Sequence, residues 1–223
     1  MRQLLKAAGI AAIAEALIYI IAFITYGAII EYPSHNSTTT QKLEFLNENH
    51  LLLSIMNLIG YILFGILLAV LVTAVHEYLK ESHQKLMKIT TVFGLMWVGF
   101  VLASGMISNI GLNEVIKHGA TSPDEAMLIW SSVSIITEGL GGGNEIVGGI
   151  WVLLLSITSL KSSSFSLKFN YLGVFVGLVG ILTIYPAEIF AELFGVSQII
   201  WFIWLGGLLI GLSRKQKPTQ VSE

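Results

Sequence analysis

Long apolar runs separated by short polar stretches set the pattern of this chain. A helix needs about 20 predominantly apolar residues to cross a hydrocarbon layer roughly 30 Å thick. Ala7–Ile30, Leu51–Val75 and Ile89–Ile110 meet that length directly. Tyr171–Tyr185 and Ile199–Leu212 are shorter in their purest part and extend into neighbouring residues. Met127–Leu160 is too long for one crossing and too short for two joined by a turn.

Charge decides that ambiguous region, because cytoplasmic flanks collect Lys and Arg. If Met127–Leu160 crosses once, only Lys42 and Lys117 of the 12 Lys and Arg residues fall on the outer side. A double crossing removes the bias. The expectation is therefore an all-α integral membrane protein, a single transmembrane domain over residues 1–223. It is a bundle of six helices with spans near 7–30, 51–75, 89–110, 140–160, 171–190 and 195–212, and both termini cytoplasmic. Glu31–Asn49, polar and without apolar period, is expected to be an outer loop. Thr121-Ser-Pro-Asp-Glu125 is a helix start, with a cap, an early Pro and acids near the N-terminal dipole. Met127–Thr137 then forms a short outer-side or re-entrant helix before the fourth span. Arg2 and Lys6 imitate a secretory signal. The run behind them is longer than a signal core and lacks a small-x-small cleavage site, so it is expected to be retained.

Composition agrees with this reading. Of 223 residues, 54% are hydrophobic and 12% charged, with mean hydropathy +0.78. A soluble domain carries about 25% charged residues. Net charge is −2, with no basic patch large enough for nucleic acid. Cysteine is absent, which removes thiolate nucleophiles, Cys metal sites and disulfides together.

Familiar catalytic patterns fail one by one. His76-Glu77 opens a zinc-protease motif, but Lys80 stands where the second His belongs. The run Gly139-Leu-Gly-Gly-Gly143 is no dinucleotide fingerprint, because Asn144 ends it and no strand precedes it. No phosphate-binding loop and no G-x-S-x-G elbow occur. Asp124 is the sole aspartate, so an aspartate dyad is impossible. No cofactor and no metal are expected, although His50 and His118 near the outer edge are conceivable contributors to an outer-side site.

Polar residues in expensive places remain. Glu15 lies mid-way through the first run, where a carboxylate costs about 2.5–3.5 kcal/mol. It must face the interior and find a partner or a proton. Glu138-Gly-Leu-Gly-Gly-Gly-Asn-Glu145 frees backbone from helical geometry, and a helix starting near Asn144 aims free N–H groups at that place. The segment is either a pocket or a hinge. Glu188 and Glu192 share a helical face beyond Tyr185-Pro186. With Glu138 and Glu145 they form a set of four outer-side carboxylates, or simply the wet face of a short helix. Asn57 and Asn109 fit interhelical hydrogen bonds as well as ligand contacts. Glycine pairs at four-residue spacing, Gly173/Gly177 and Gly207/Gly211, read as packing faces.

Gly142-Gly-Asn-Glu-Ile-Val-Gly-Gly-Ile-Trp-Val-Leu-Leu-Leu-Ser, Asn170-Tyr-Leu-Gly-Val and Gln198-Ile-Ile-Trp-Phe-Ile-Trp-Leu-Gly resemble a family of bacterial membrane proteins, domain of unknown function forty-three eighty-six. The resemblance covers mainly Glu138–Leu212. It implies a bacterial cytoplasmic membrane and a small helical bundle, and no activity.

Three functional readings follow. The first is a small transport or ligand-binding protein with an acidic outer-side pocket (Glu15, Asn57, Glu138, Asn144, Glu145, Glu188, Glu192). Its partners are the lipid bilayer and a small polar ligand, a proton or a lipid. The second is an intramembrane enzyme on a lipid or quinone-like substrate using glutamate acid/base chemistry. The third is a non-catalytic accessory subunit.

Overall fold

A computed structural model describes residues 1–34, 36–142, 145–185 and 187–216. Among these the chain is helical throughout, with no strand. The helices are α1 (Arg2–Ile24), α2 (Thr39–Glu48), α3 (His50–Asn57), α4 (Phe64–Leu79), α5 (Gln84–Gly119), α6 (Pro123–Thr137), α7 (Ile146–Ser162), α8 (Leu167–Leu182) and α9 (Glu188–Lys215). Three wide π turns interrupt or end them, at Thr25–Ile29, Leu58–Leu63 and Glu138–Gly142.

Five helical stretches are long and apolar enough to cross a membrane: Arg2–Ile29, His50–Leu79, Gln84–Gly119, Pro123–Ser162 and Ile189–Lys215. The fourth is discontinuous. Leu167–Leu182 is apolar but has only 16 residues, about 24 Å of helix. These features are those of a multi-pass membrane protein.

The loop expected over Glu31–Asn49 is overturned in part. Thr39–Glu48, inside the stretch read as a loop, is a helix. The Thr38 side chain accepts from the Gln41 amide, and the Gln41 side chain accepts from the Thr38 amide. This reciprocal cap satisfies two free donors. The segment shows little apolar period because it covers a cavity with only a few side chains.

The chain forms two compact units. The first comprises Met1–Leu17, Ile66–Val98 and Glu145–Glu223; the second comprises Ile18–Gly65 and Gly99–Asn144. The core of the first is an aromatic stack. Trp97 meets Trp151 at 5.8 Å, Trp151 meets Trp201 at 5.7 Å, and Trp201 stacks on Phe169 at 5.6 Å. Gly173 and Gly177 pack tightly on α7, through Ser156 and Leu153, as expected. Gly207 and Gly211 do not: a side chain at either would meet nothing. Their neighbour Gly206 makes the close crossing instead, against Gly9 of α1.

The second unit is organised by α5. Asn57 bonds to Asn109 and a side chain on Gly105 would run into Tyr61, so α3 and the turn after it lie antiparallel to α5. A side chain on Gly111 would collide with Val133, and Ser104 Oγ donates to the Thr137 carbonyl at 3.5 Å. Helix α6 therefore also runs antiparallel along α5. Ile30, Leu46, Leu53, Leu112, Val115 and Ala126 close the core at the far end.

Candidate functional site

The second unit encloses a cavity of about 460 Å³, a volume suited to a small molecule. Five aromatic rings line it, Tyr26, Tyr32, Phe45, Tyr61 and Trp130, together with the polar groups Asn57, Ser108, Ser134, Thr137 and Glu138. Lys42 of α2 also lines it.

The wide turns place this lining. Tyr26 lies in Thr25–Ile29, Tyr61 in Leu58–Leu63, and Glu138 in Glu138–Gly142. Each stands next to a glycine (Gly27, Gly60 and Gly139). A side chain on any of these three glycines would meet nothing within 4 Å. They are not there to let another helix approach. Their contribution is backbone freedom, which favours departure from regular α geometry, and π turns recur at functional sites. The third turn is broken outright at Gly141, with φ 123°.

A polar ladder holds one wall. Asn57 Nδ2 donates to Asn109 Oδ1 at 3.1 Å, and Asn113 Nδ2 donates to the Asn109 carbonyl at 2.9 Å. His50 Nε2 meets Asn113 Oδ1 at 3.0 Å. Asn57 and Ser108 are both 8% exposed, so this wall of the cavity is polar and largely buried. At the rim, partial burial raises the Tyr32 phenol above its ordinary pKa.

The residues expected from the sequence fall in different places. Asn57 and Glu138 share the cavity. His50 supports its wall without lining it. His118 bonds back to the Glu114 carbonyl at 2.9 Å and stays exposed on its own helix. Among the described residues no three His, Asp or Glu side chains gather as metal ligands. Asn144 and the side chain of Glu188 lie outside the described residues. Glu192 is exposed on α9.

Glu15 and Glu145 belong to the first unit. Glu15 is fully buried, and among the described residues neither of its oxygens has a hydrogen-bond partner. Glu145 Oε2 is likewise enclosed and without a partner among them, while its backbone N–H donates to Thr183 Oγ1 at 2.9 Å. Sequence reading missed Gln198, which is fully buried with both amide atoms unpartnered among the described residues. An orphaned buried polar group costs about 1–3 kcal/mol. The crossing at Gly9 and Gly206 relates the two side chains. Glu15 is six residues past Gly9, and Gln198 is eight residues before Gly206 in an antiparallel helix. Gly9 also meets Ile210 and Gly206 also meets Ile13, so their heights along the pair differ by roughly 3–9 Å.

No family model, characterised protein or solved structure matches the chain. Function is therefore argued from these sites alone.

Proposed function

We propose that the chain is a small-molecule-binding protein of a bacterial cytoplasmic membrane, with six crossings and both termini inside, and that binding serves transport. The observation that carries binding is the convergence of three π turns, each delivering one side chain, on a single cavity of about 460 Å³. Purely structural helices have no use for three such departures around one space.

In this reading α6 is a re-entrant helix. Its end meets α5 at Ser104, six residues inside the apolar run Ile89–Ile110. A helix lying on the surface stays level with the end of that run. Among the described residues the cavity carries one carboxylate, Glu138, and one lysine, Lys42. Glu15 and Gln198 support transport rather than static binding. Unpartnered polar groups inside an apolar unit are typical of pathways for protons or polar solutes.

Two measurements test this. Native mass spectrometry of gently extracted protein is expected to show a bound small molecule that is lost on Asn57→Leu. Reporter fusions at Lys42, Lys85, Lys117, Ser164 and Lys217 are expected to read out, in, out, in, in. A cytoplasmic signal at Lys117 removes the six-span arrangement.

A further inference from the structure

Among the described residues, every enclosed side-chain nitrogen or oxygen without a hydrogen-bond partner belongs to the first unit. These eight atoms sit on Glu15, Glu145, Trp151, Asn170, Gln198 and Trp201. Glu15 and Gln198 hold four of them, and the α1–α9 crossing turns both side chains the same way. An added Cβ on Gly9 would lie 2.8 Å from the Gly206 carbonyl oxygen, and one on Gly206 would lie 2.8 Å from that of Gly9. These two faces therefore look at each other. At about 100° per residue, Glu15 is turned about 120° from the face of Gly9 and Gln198 about 80° from that of Gly206. In an antiparallel pair these turns lead to the same flank. With heights that differ by roughly 3–9 Å, the two side chains are long enough to meet.

Both residues are 0% exposed, which leaves no room beside them for a water molecule, a hydrated cation or an organic solute. A bare hard cation asks for about six or more oxygen ligands, and among the described residues no three His, Asp or Glu side chains gather as ligands. A proton needs neither space nor a ligand shell. No counter-charge answers the carboxyl group. Glu15 is the only Asp, Glu, His, Lys or Arg in residues 7–17, 66–75, 89–98, 146–160, 169–187 and 193–213, the apolar stretches of this unit. Tyr19, one turn further along α1, sets its ring edge-on to Phe64. The other enclosed carboxyl group is Glu145. Gly149 and Phe194 both pack on Gly180, and Ser156 and Trp201 both pack on Gly173, so α7 and α9 run in the same direction. Glu145 is one turn before Gly149 and Gln198 one turn past Phe194, which separates them by roughly 12 Å along the bundle. Glu145 is too far away to share a proton with the pair.

We propose that Glu15 and Gln198 form a buried proton-binding site, in which the Glu15 carboxyl group takes up and releases the proton and the Gln198 amide meets it in both states. The acid donates its O–H to Gln198 Oε1, and the carboxylate accepts from Gln198 Nε2. Release breaks the acid O–H bond, leaves the electron pair on the carboxylate oxygen and delivers H⁺ to water. An amide serves both states by turning about its last torsion, which an apolar residue cannot do. This site deepens the transport reading proposed above, on which its role rests: the coupled ion is a proton.

Infrared difference spectroscopy on the full chain in a neutral detergent tests this by following the C=O stretch of a protonated carboxyl group as the buffer is stepped from mildly acid to alkaline. A band is expected that is lost reversibly as pH rises, because release of the proton turns acid into carboxylate. It should be missing from Glu15→Gln and persist in Glu145→Gln and Glu192→Gln. Gln198→Leu should shift its frequency, since the acid loses its amide partner, whereas a Gln198 that only fills space would leave the band where it is. Where Glu15→Gln disturbs folding, the band that survives in Glu145→Gln and moves in Gln198→Leu still decides. Absence of a band that Glu145→Gln leaves in place overturns the inference, and so does a band that persists at every pH. An unmoved band in Gln198→Leu overturns the pairing. A titrating band in a protein without proton-coupled uptake leaves the site standing and removes the transport reading. Coupled uptake without a titrating band does the reverse.

Discussion

Asn57 donates its side-chain amide to Asn109 Oδ1 at 3.1 Å across two apolar helices. Each alone would lose its partner in a largely buried wall, and together they fix the height of α3 on α5. Replacing one partner should cost more than replacing both. Asn57→Leu leaves the half-buried Asn109 carboxamide without this partner, at about 1 kcal/mol. The double variant Asn57→Leu/Asn109→Leu removes both polar groups and should recover part of that loss. A double-mutant cycle on thermal midpoints in detergent measures the coupling, expected near 1 kcal/mol from interhelical bonds in membranes. Strict additivity of the two single effects means the bond contributes nothing.

Gly60 and Gly27 offer a separation of stability from binding. Both have open space where a side chain would go. Alanine there improves helix propensity by about 0.8–1 kcal/mol relative to glycine. If the glycines exist to permit the wide turns, Gly60→Ala and Gly27→Ala should leave the thermal midpoint unchanged or raised. They should weaken ligand binding several-fold by drawing Tyr61 and Tyr26 back towards regular α positions. Unchanged affinity in both variants would falsify the claim that the turns position the lining.

The absence of cysteine makes the cavity directly probeable, because any thiol introduced is the sole one. Ser134 lines the cavity, and its neighbour Ile135 is 72% exposed on another face of α6. Ser134→Cys should react with a small maleimide and be protected by the small molecule that the cavity binds. Ile135→Cys should show no protection by the same ligand. Equal protection at both positions points to a global effect of the ligand on folding rather than occupancy of this space.

The helical, multi-pass character was legible because long apolar runs are a strong, additive signal. Asn57 and Glu138 stood out as polar residues within or beside such runs, and both line the cavity. Tyr26, Tyr61 and Trp130 did not stand out. An aromatic residue near a span end looks the same whether it faces head groups, core or ligand, and only the turn geometry distinguishes them. Lys42 was hidden in a stretch whose helix depends on a local cap, Thr38 with Gln41, rather than on an apolar period. Gln198 was missed for a related reason. Its place at the edge of an apolar run resembled a loop end, and its burial follows from the crossing of Gly9 and Gly206, residues far apart in the chain.

Glu15 and Gln198 pose the sharpest question about why costly groups are kept. Four of their side-chain polar atoms are buried without partners among the described residues, and both residues lie on the same side of the α1–α9 crossing. If they only fill volume, apolar replacements of similar size should be free or favourable, since removing orphaned polar groups ends a desolvation cost. Glu15→Leu and Gln198→Leu are therefore expected to raise the thermal midpoint by a few degrees, each change relieving about 1–3 kcal/mol. If the pair also serves transport, the same variants, and the gentler Glu15→Gln, should abolish proton-coupled uptake into proteoliposomes while the small molecule still binds to the cavity of the other unit. Greater stability with unchanged uptake would remove Glu15 from the mechanism and leave it a tolerated cost. Lower stability on Glu15→Leu would show instead that an unseen partner satisfies the carboxyl group, and that this partner, rather than the protein alone, holds it in the core.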